Sequence, residues 1–207
     1  VIDTSLFVSF VIVASAIIVM PGPNVLVTIA TSLTQGHVRG MQVVAGTLAA
    51  MALQLYIAAT GTALLAEFLA EAFRVVKWVG AVYLLYLGIG RLRAALTSNR
   101  TNSLDSGTAR GSFIRGFTVG ITNPKTILFF GAFLPQFVTE TLPVSRQLLI
   151  LSVTFLVLAA FFDSLYVLAA SKASEVARTP AFRRWLDGCA GTLLIGSSVG
   201  LAVARRA

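Results

Sequence analysis

The sequence predicts an all-α integral membrane protein of six transmembrane helices, built as two inverted three-helix repeats with breaks in helices 1 and 4. Three observations lead there: a composition almost without charge, six apolar runs long enough to span a bilayer, and proline-centred interruptions in corresponding places. Of 207 residues, 57% are hydrophobic and 12% are charged, and the mean hydropathy is +0.87. A soluble domain carries about a quarter charged residues. One core of this size cannot hide so much apolar surface from water, so lipid must be the solvent for most of the outer face.

A spanning helix takes about 20 mostly apolar residues. Residues 4–36 carry no charge and hold the first span, interrupted at Pro21-Gly22-Pro23. Residues 41–66 form a second uncharged run. The third covers 73–90, with Arg74 and Lys77 placed to snorkel and Trp78 at the interface. The fourth, fifth and sixth cover 113–138, 147–171 and 185–204. Residues 91–112 are polar, with four arginines and one acid, and read as a mobile loop. The runs are helices because unpaired backbone cannot sit in lipid. They lack the alternation of a β-barrel strand. The whole chain, 1–207, reads as one transmembrane domain: repeat 1 over 1–92, a loop over 93–112, and repeat 2 over 113–207.

The net charge of +8 sits mostly in short loops. No basic soluble domain exists to hold a nucleic acid, so these residues read as topology determinants. Six spans place Arg39, Arg91, Arg93, Arg100, Arg110, Arg115, Lys172, Arg178, Arg183 and Arg184 on one side, ten in all. Arg74, Lys77, Arg146, Arg205 and Arg206 fall on the other, five in all. The positive-inside rule makes the 3–4 loop cytoplasmic and both termini periplasmic, in a bacterial inner membrane. There is no basic region before the first apolar run, which is expected to remain in the mature protein. Cys189 is the only cysteine, so neither a disulfide nor a thiolate metal cluster can form within the chain. His37 is the lone histidine, and neither a Gly-x-Ser-x-Gly elbow nor a P-loop occurs. The chain is not expected to be an enzyme or to need a cofactor or metal.

The two halves share an order of markers. Pro23 and Pro124 are 101 residues apart, Trp78 and Trp185 are 107 apart, and Gly80 and Gly88 precede Gly188 and Gly196 by 108. Three helices per half is an odd number, so the halves insert with opposite sense. Inverted repeats with matched broken helices point to a transporter with its site near the midplane.

At the first break, Pro21 and Pro23 lack N–H groups and Gly22 frees the backbone between them. A half-helix starting at Pro23 would aim free N–H groups at an anion such as a carboxylate, and Asn24 adds a donor and an acceptor. At the second, Asn123 is a favoured N-cap and Pro124 a favoured first residue of a half-helix running towards Phe137. Lys125 in its first turn faces the unfavourable end of that helix dipole, and an intramembrane lysine marks a partner or a path. Asp163 is the one acid well inside an apolar run, and Tyr166 shares its helix face. It could pair with Lys125, carry a proton or bind an amine. Gln54 and Tyr56 in the second span are weaker candidates, as bridges between helices. Gly116 with Gly120 and Gly196 with Gly200 suit close packing, within the chain or across a homodimer. Tyr83 and Tyr86 share a face of the third span.

These motifs resemble a known family. Pro21-Gly22-Pro23-Asn24, the run Lys77-Trp78-Val79-Gly80-Ala81-Val82-Tyr83-Leu84-Leu85-Tyr86-Leu87-Gly88, Gly116-Phe117, Asn123-Pro124-Lys125 and Phe133-Leu134-Pro135-Gln136-Phe137 are similar, in order, to the lysine-exporter superfamily and its homoserine/threonine exporter branch. The resemblance implies a six-helix inner-membrane exporter of amino acids, driven by the proton gradient. It carries over Pro21, Gly22, Pro23, Asn24, Asn123, Pro124 and Lys125 as signature positions. Its partners would be an amino acid, a proton and the bilayer. The rival readings are a non-transporting assembly protein and a membrane enzyme.

Overall fold

A computed structural model describes residues 2–60, 108–173 and 180–203, together with residues 78, 82, 85, 86, 88–90, 92, 93, 95 and 96. Among them every regular element is helical. Helix α1 covers Thr4–Val19, with Asp3 as its N-cap accepting from the Leu6 N–H at 2.9 Å. It stops short of Pro21, and α2 restarts at Pro23–Gln35, bent by 51° from α1. Gly36, at φ 85°, makes the left-handed turn into α3, His37–Thr60. Thr108 caps α4, Ala109–Ile121. Asn123 caps α5, Pro124–Leu128, which widens into a π turn at Phe129–Phe133 and tightens to 3-10 at Leu134–Phe137. Helices α6, Val144–Lys172, and α7, Pro180–Val203, complete the order.

Helices α3 and α6 are each long and apolar enough to cross a membrane, and the bent pair α1 and α2 makes a third such span. The remaining expected spans are seen only as helices. Most of the third, Lys77 and Tyr83 included, lies outside the described residues. Tyr86 within it is exposed.

One expectation fails at both ends. The polar stretch 91–112 is not simply a loop: Leu92, Arg93, Ala95 and Leu96 are helical, and α4 begins at Ala109. Alanine, leucine and arginine are strong helix formers. At the far end the Thr108 hydroxyl accepts from the Gly111 N–H at 3.1 Å, so helix starts four residues before the apolar run does. Residues 97–107 lie outside the described residues.

Packing follows the helical period. On α6, Leu151, Phe155, Ala159, Asp163 and Val167 recur every fourth residue and are buried, while Val153, Val157, Phe161 and Leu165 are exposed. In a bilayer the second set faces lipid. The π turn is pinned by rings: Phe129 and Phe130 lie 5.3 and 4.8 Å from Phe155, and Phe10 of α1 meets Phe137 edge-on at 5.3 Å. Helices α3 and α4 touch through glycine. A Cβ on Gly46 would strike the Phe113 carbonyl, and one on Gly116 would strike the Val43 carbonyl. Gly116 and Gly120 therefore serve packing within the chain, whereas Gly196 faces open space.

Candidate functional site

The two breaks have a common chemistry. In a continuous helix the carbonyl of residue i accepts from the N–H of residue i+4. Pro21 cannot donate to Ile17, Pro23 cannot donate to Val19, and Pro124 cannot donate to Gly120. Side chains from distant helices reach all three carbonyls, and that of Gly120 also accepts from the Asn123 N–H at 3.2 Å. The Lys125 ammonium donates to the Ile17 carbonyl at 2.9 Å and to the Met20 carbonyl at 2.8 Å. The Tyr166 hydroxyl donates to the Val19 carbonyl at 2.7 Å. The Gln54 amide donates to the Gly120 carbonyl at 3.3 Å and to the Ile121 carbonyl at 3.1 Å.

Lys125 thus leaves the unfavourable end of its own helix and lies at the C-terminal, negative end of α1, where a cation is favoured. Gly22 makes the room: a Cβ there would stand 3.3 Å from the ammonium nitrogen. The backbone N–H of Lys125 is held by the Asn123 carboxamide oxygen at 3.1 Å. The N-terminus of α5 is therefore closed by its own cap. The N-terminus of α2 differs, because no side chain caps it and Gly22 occupies the capping position. Asn24 in its first turn is 3% exposed, and neither end of its carboxamide has a partner. Pro23 is buried with it, while Pro21 is exposed.

Asp163 is 3% exposed on the inward face of α6. Among the described residues no hydrogen bond or ion pair reaches its carboxylate. It lies in the field of Lys125, and Tyr166 lies in its own field. The structure therefore gathers Gly22, Lys125, Asp163 and Tyr166 about the first break, while Asn123 caps the second. Gln54 stands at the second, and Tyr56 of the same helix is exposed. No direct pair joins Lys125 to Asp163, since the ammonium bonds to the α1 carbonyls instead.

Two residues of α2 were not singled out from sequence. Thr28 and Thr31 are fully buried, and neither hydroxyl has a partner. Their spacing from Asn24, four and then three, puts all three on one helix face. That spacing is the signal that could have found them.

The LysE type translocator family matches residues 15–205. The chain belongs to that family. It is 30% identical over 200 residues to a homoserine/homoserine lactone efflux protein of Salmonella typhimurium, covering 96% of this chain and 97% of the relative. It is 31% identical over 176 residues to a leucine efflux protein of Klebsiella pneumoniae, covering 84% and 82%. A Vibrio cholerae relative described only as a membrane protein is 27% identical over 205 residues, covering 98% and 99%. No solved structure matches the chain. It is thus a membrane protein of a translocator family and not an enzyme.

Proposed function

We propose that this chain is a secondary exporter of amino acids or close derivatives, of the neutral homoserine, threonine or leucine kind, driven by the proton gradient across the bacterial inner membrane. The single observation that carries the mechanism is the reciprocal capping of the breaks. Lys125 and Tyr166 of the second half cover the carbonyls freed in the first. Gln54 of the first half covers the Ile121 carbonyl, whose helical donor Lys125 N–H is taken by Asn123, and shares the Gly120 carbonyl with the Asn123 N–H. Such an exchange is expected of two inverted repeats related by a pseudo-two-fold axis, 1–92 and 113–207. Rocking of one half against the other would break one set of caps while keeping the other.

The uncapped start of α2 and the Asn24 amide suit a substrate carboxylate. The start of α5, already capped by Asn123, does not take that role. Asp163 faces the amine or carries the coupling proton. The test is a panel of radiolabelled amino acids, including homoserine, threonine and leucine, in everted vesicles with and without a proton gradient. Uptake of at least one, lost when the gradient is collapsed, is the expected result. An assembly protein or a membrane enzyme would give none.

The same reading places the 3–4 loop in the cytoplasm and both termini in the periplasm, on ten basic residues against five. A cysteine at Ser103, in a Cys189→Ser background, should resist an impermeant thiol reagent in intact cells and label in inverted vesicles. Labelling in intact cells would reverse the orientation.

A further inference from the structure

Hydroxyls in a helix usually donate to the carbonyl four residues back. Ser32, Thr34, Thr118, Thr122 and Ser171 all do so here, at 2.7–2.8 Å. Thr28 and Thr31 do not, although both are fully buried. Asn24 on the same face leaves both ends of its amide unpartnered. Ser112 and Ser152 are also buried without partners, but each stands alone on its helix, α4 and α6. Among the described residues, only on α2 do the unpartnered groups form a row. The row begins at the break, one residue past the prolines, and runs down the helix.

A buried polar atom without a partner is unfavourable unless something else supplies one. Several of them on one face, unmet by their own backbone, call for a polar guest that comes and goes. We propose that the Asn24–Thr28–Thr31 face of α2 lines the path along which a polar solute and its water move between the central break and the Gly36 end of the helix. The cargo named for that path, an amino acid, rests on the exporter reading above; the path itself does not. Val27, three residues from Asn24 and four from Thr31, borders the row and packs on Val43 of α3 and Val119 of α4, so the row runs along the edge of that seam. Ala30, turned about 160° from Thr28 and about 100° from Thr31 around the helix, is 2% exposed. The bend at Pro21-Gly22 gives α2 a hinge about which the row can open.

The experiment uses single cysteines at Thr28, Thr31 and Ala30 in a Cys189→Ser chain, in permeabilised membranes, with a small hydrophilic thiol reagent. Thr28→Cys and Thr31→Cys should label severalfold faster than Ala30→Cys, and the transported amino acid should slow them. Labelling no faster than at Ala30 would overturn the path. Fast labelling that no amino acid slows would keep the path and count against the amino-acid cargo. A second variant separates path from scaffold. Thr28→Val with Thr31→Val removes two hydroxyls that bond to nothing, so the melting temperature in detergent should hold or rise while export falls severalfold. Thr28→Ser with Thr31→Ser should retain export. A clear drop in melting temperature for the valine pair would show that the hydroxyls hold the fold, and would overturn the proposal.

Discussion

Asp163→Asn is expected to abolish gradient-driven export and to leave the protein at least as stable as before. The substitution keeps the shape of the side chain and removes its charge. A charge at the bilayer centre costs about 2.5–3.5 kcal/mol on the gentler insertion scale. Here nothing among the described residues returns that cost through a hydrogen bond. The nearby cation, Lys125, gives its ammonium to the Ile17 and Met20 carbonyls. The carboxylate is therefore held against the interest of folding, which is the mark of a group kept for what it does. An asparagine can neither take up and release a proton nor offer a full charge to an amine. Exchange of substrate down its own gradient needs no proton cycle and should persist. The measurement pairs gradient-driven uptake in everted vesicles with counterflow in the same preparation and a melting curve in detergent. Normal gradient-driven export at every pH tested would remove Asp163 from coupling. Loss of counterflow together with a lowered melting temperature would make it a structural residue.

The breaks were legible from sequence because proline acts locally. Pro21, Pro23 and Pro124 each remove a donor whatever surrounds them, and Asn123 before Pro124 is a cap by its position alone. The groups that answer those prolines were not legible. Gln54, Lys125 and Tyr166 stand 66 to 147 residues from the carbonyls they cover. Only the packing of α3, α5 and α6 against the breaks brings them there. Lys125 poses a conflict in sequence, a cation at the positive end of a helix, and the fold resolves it by aiming the side chain at another helix. Thr28 and Thr31 were hidden for a different reason. A threonine within an apolar run is ordinarily satisfied by its own helix, as Thr34 and Thr122 are, and only coordinates reveal that these two are not. The misread polar stretch shows the converse. Composition marked it as loop, while local helix propensity around Leu92 and the Thr108 cap decided where helix continues.

Lys125→Met should reduce both gradient-driven export and exchange, and should destabilise the protein more than Tyr166→Phe does. The methionine keeps an unbranched apolar stem and loses the ammonium. The Ile17 carbonyl, orphaned by Pro21, and the Met20 carbonyl, at the end of α1, would then face lipid or protein without a donor. Hydrogen bonds involving a charged group contribute about 1.5–3 kcal/mol, and an unmet buried acceptor costs about 1–3 kcal/mol. Tyr166→Phe removes one neutral hydrogen bond, worth about 0.5–1.5 kcal/mol, from the Val19 carbonyl. The order of melting temperatures should be wild type, then Tyr166→Phe, then Lys125→Met. With its covering cation gone, the first break loses the contact that sets where α2 begins, so the Asn24 face moves whether or not a proton gradient is present. This is why both modes of transport should fall together, in contrast to Asp163→Asn. Charge removal at both sites tests the field between them. Removing Lys125 alone leaves Asp163 buried with no cation near it among the described residues, so adding Asp163→Asn should restore part of the lost stability. Neighbouring charges couple by about 0.5–3 kcal/mol, beyond the roughly 0.3–0.5 kcal/mol scatter of independent sites. A double variant equal to the sum of its singles would mean that the two charges act separately. Equal melting temperatures for Lys125→Met and Tyr166→Phe would mean that the ammonium does not hold the break.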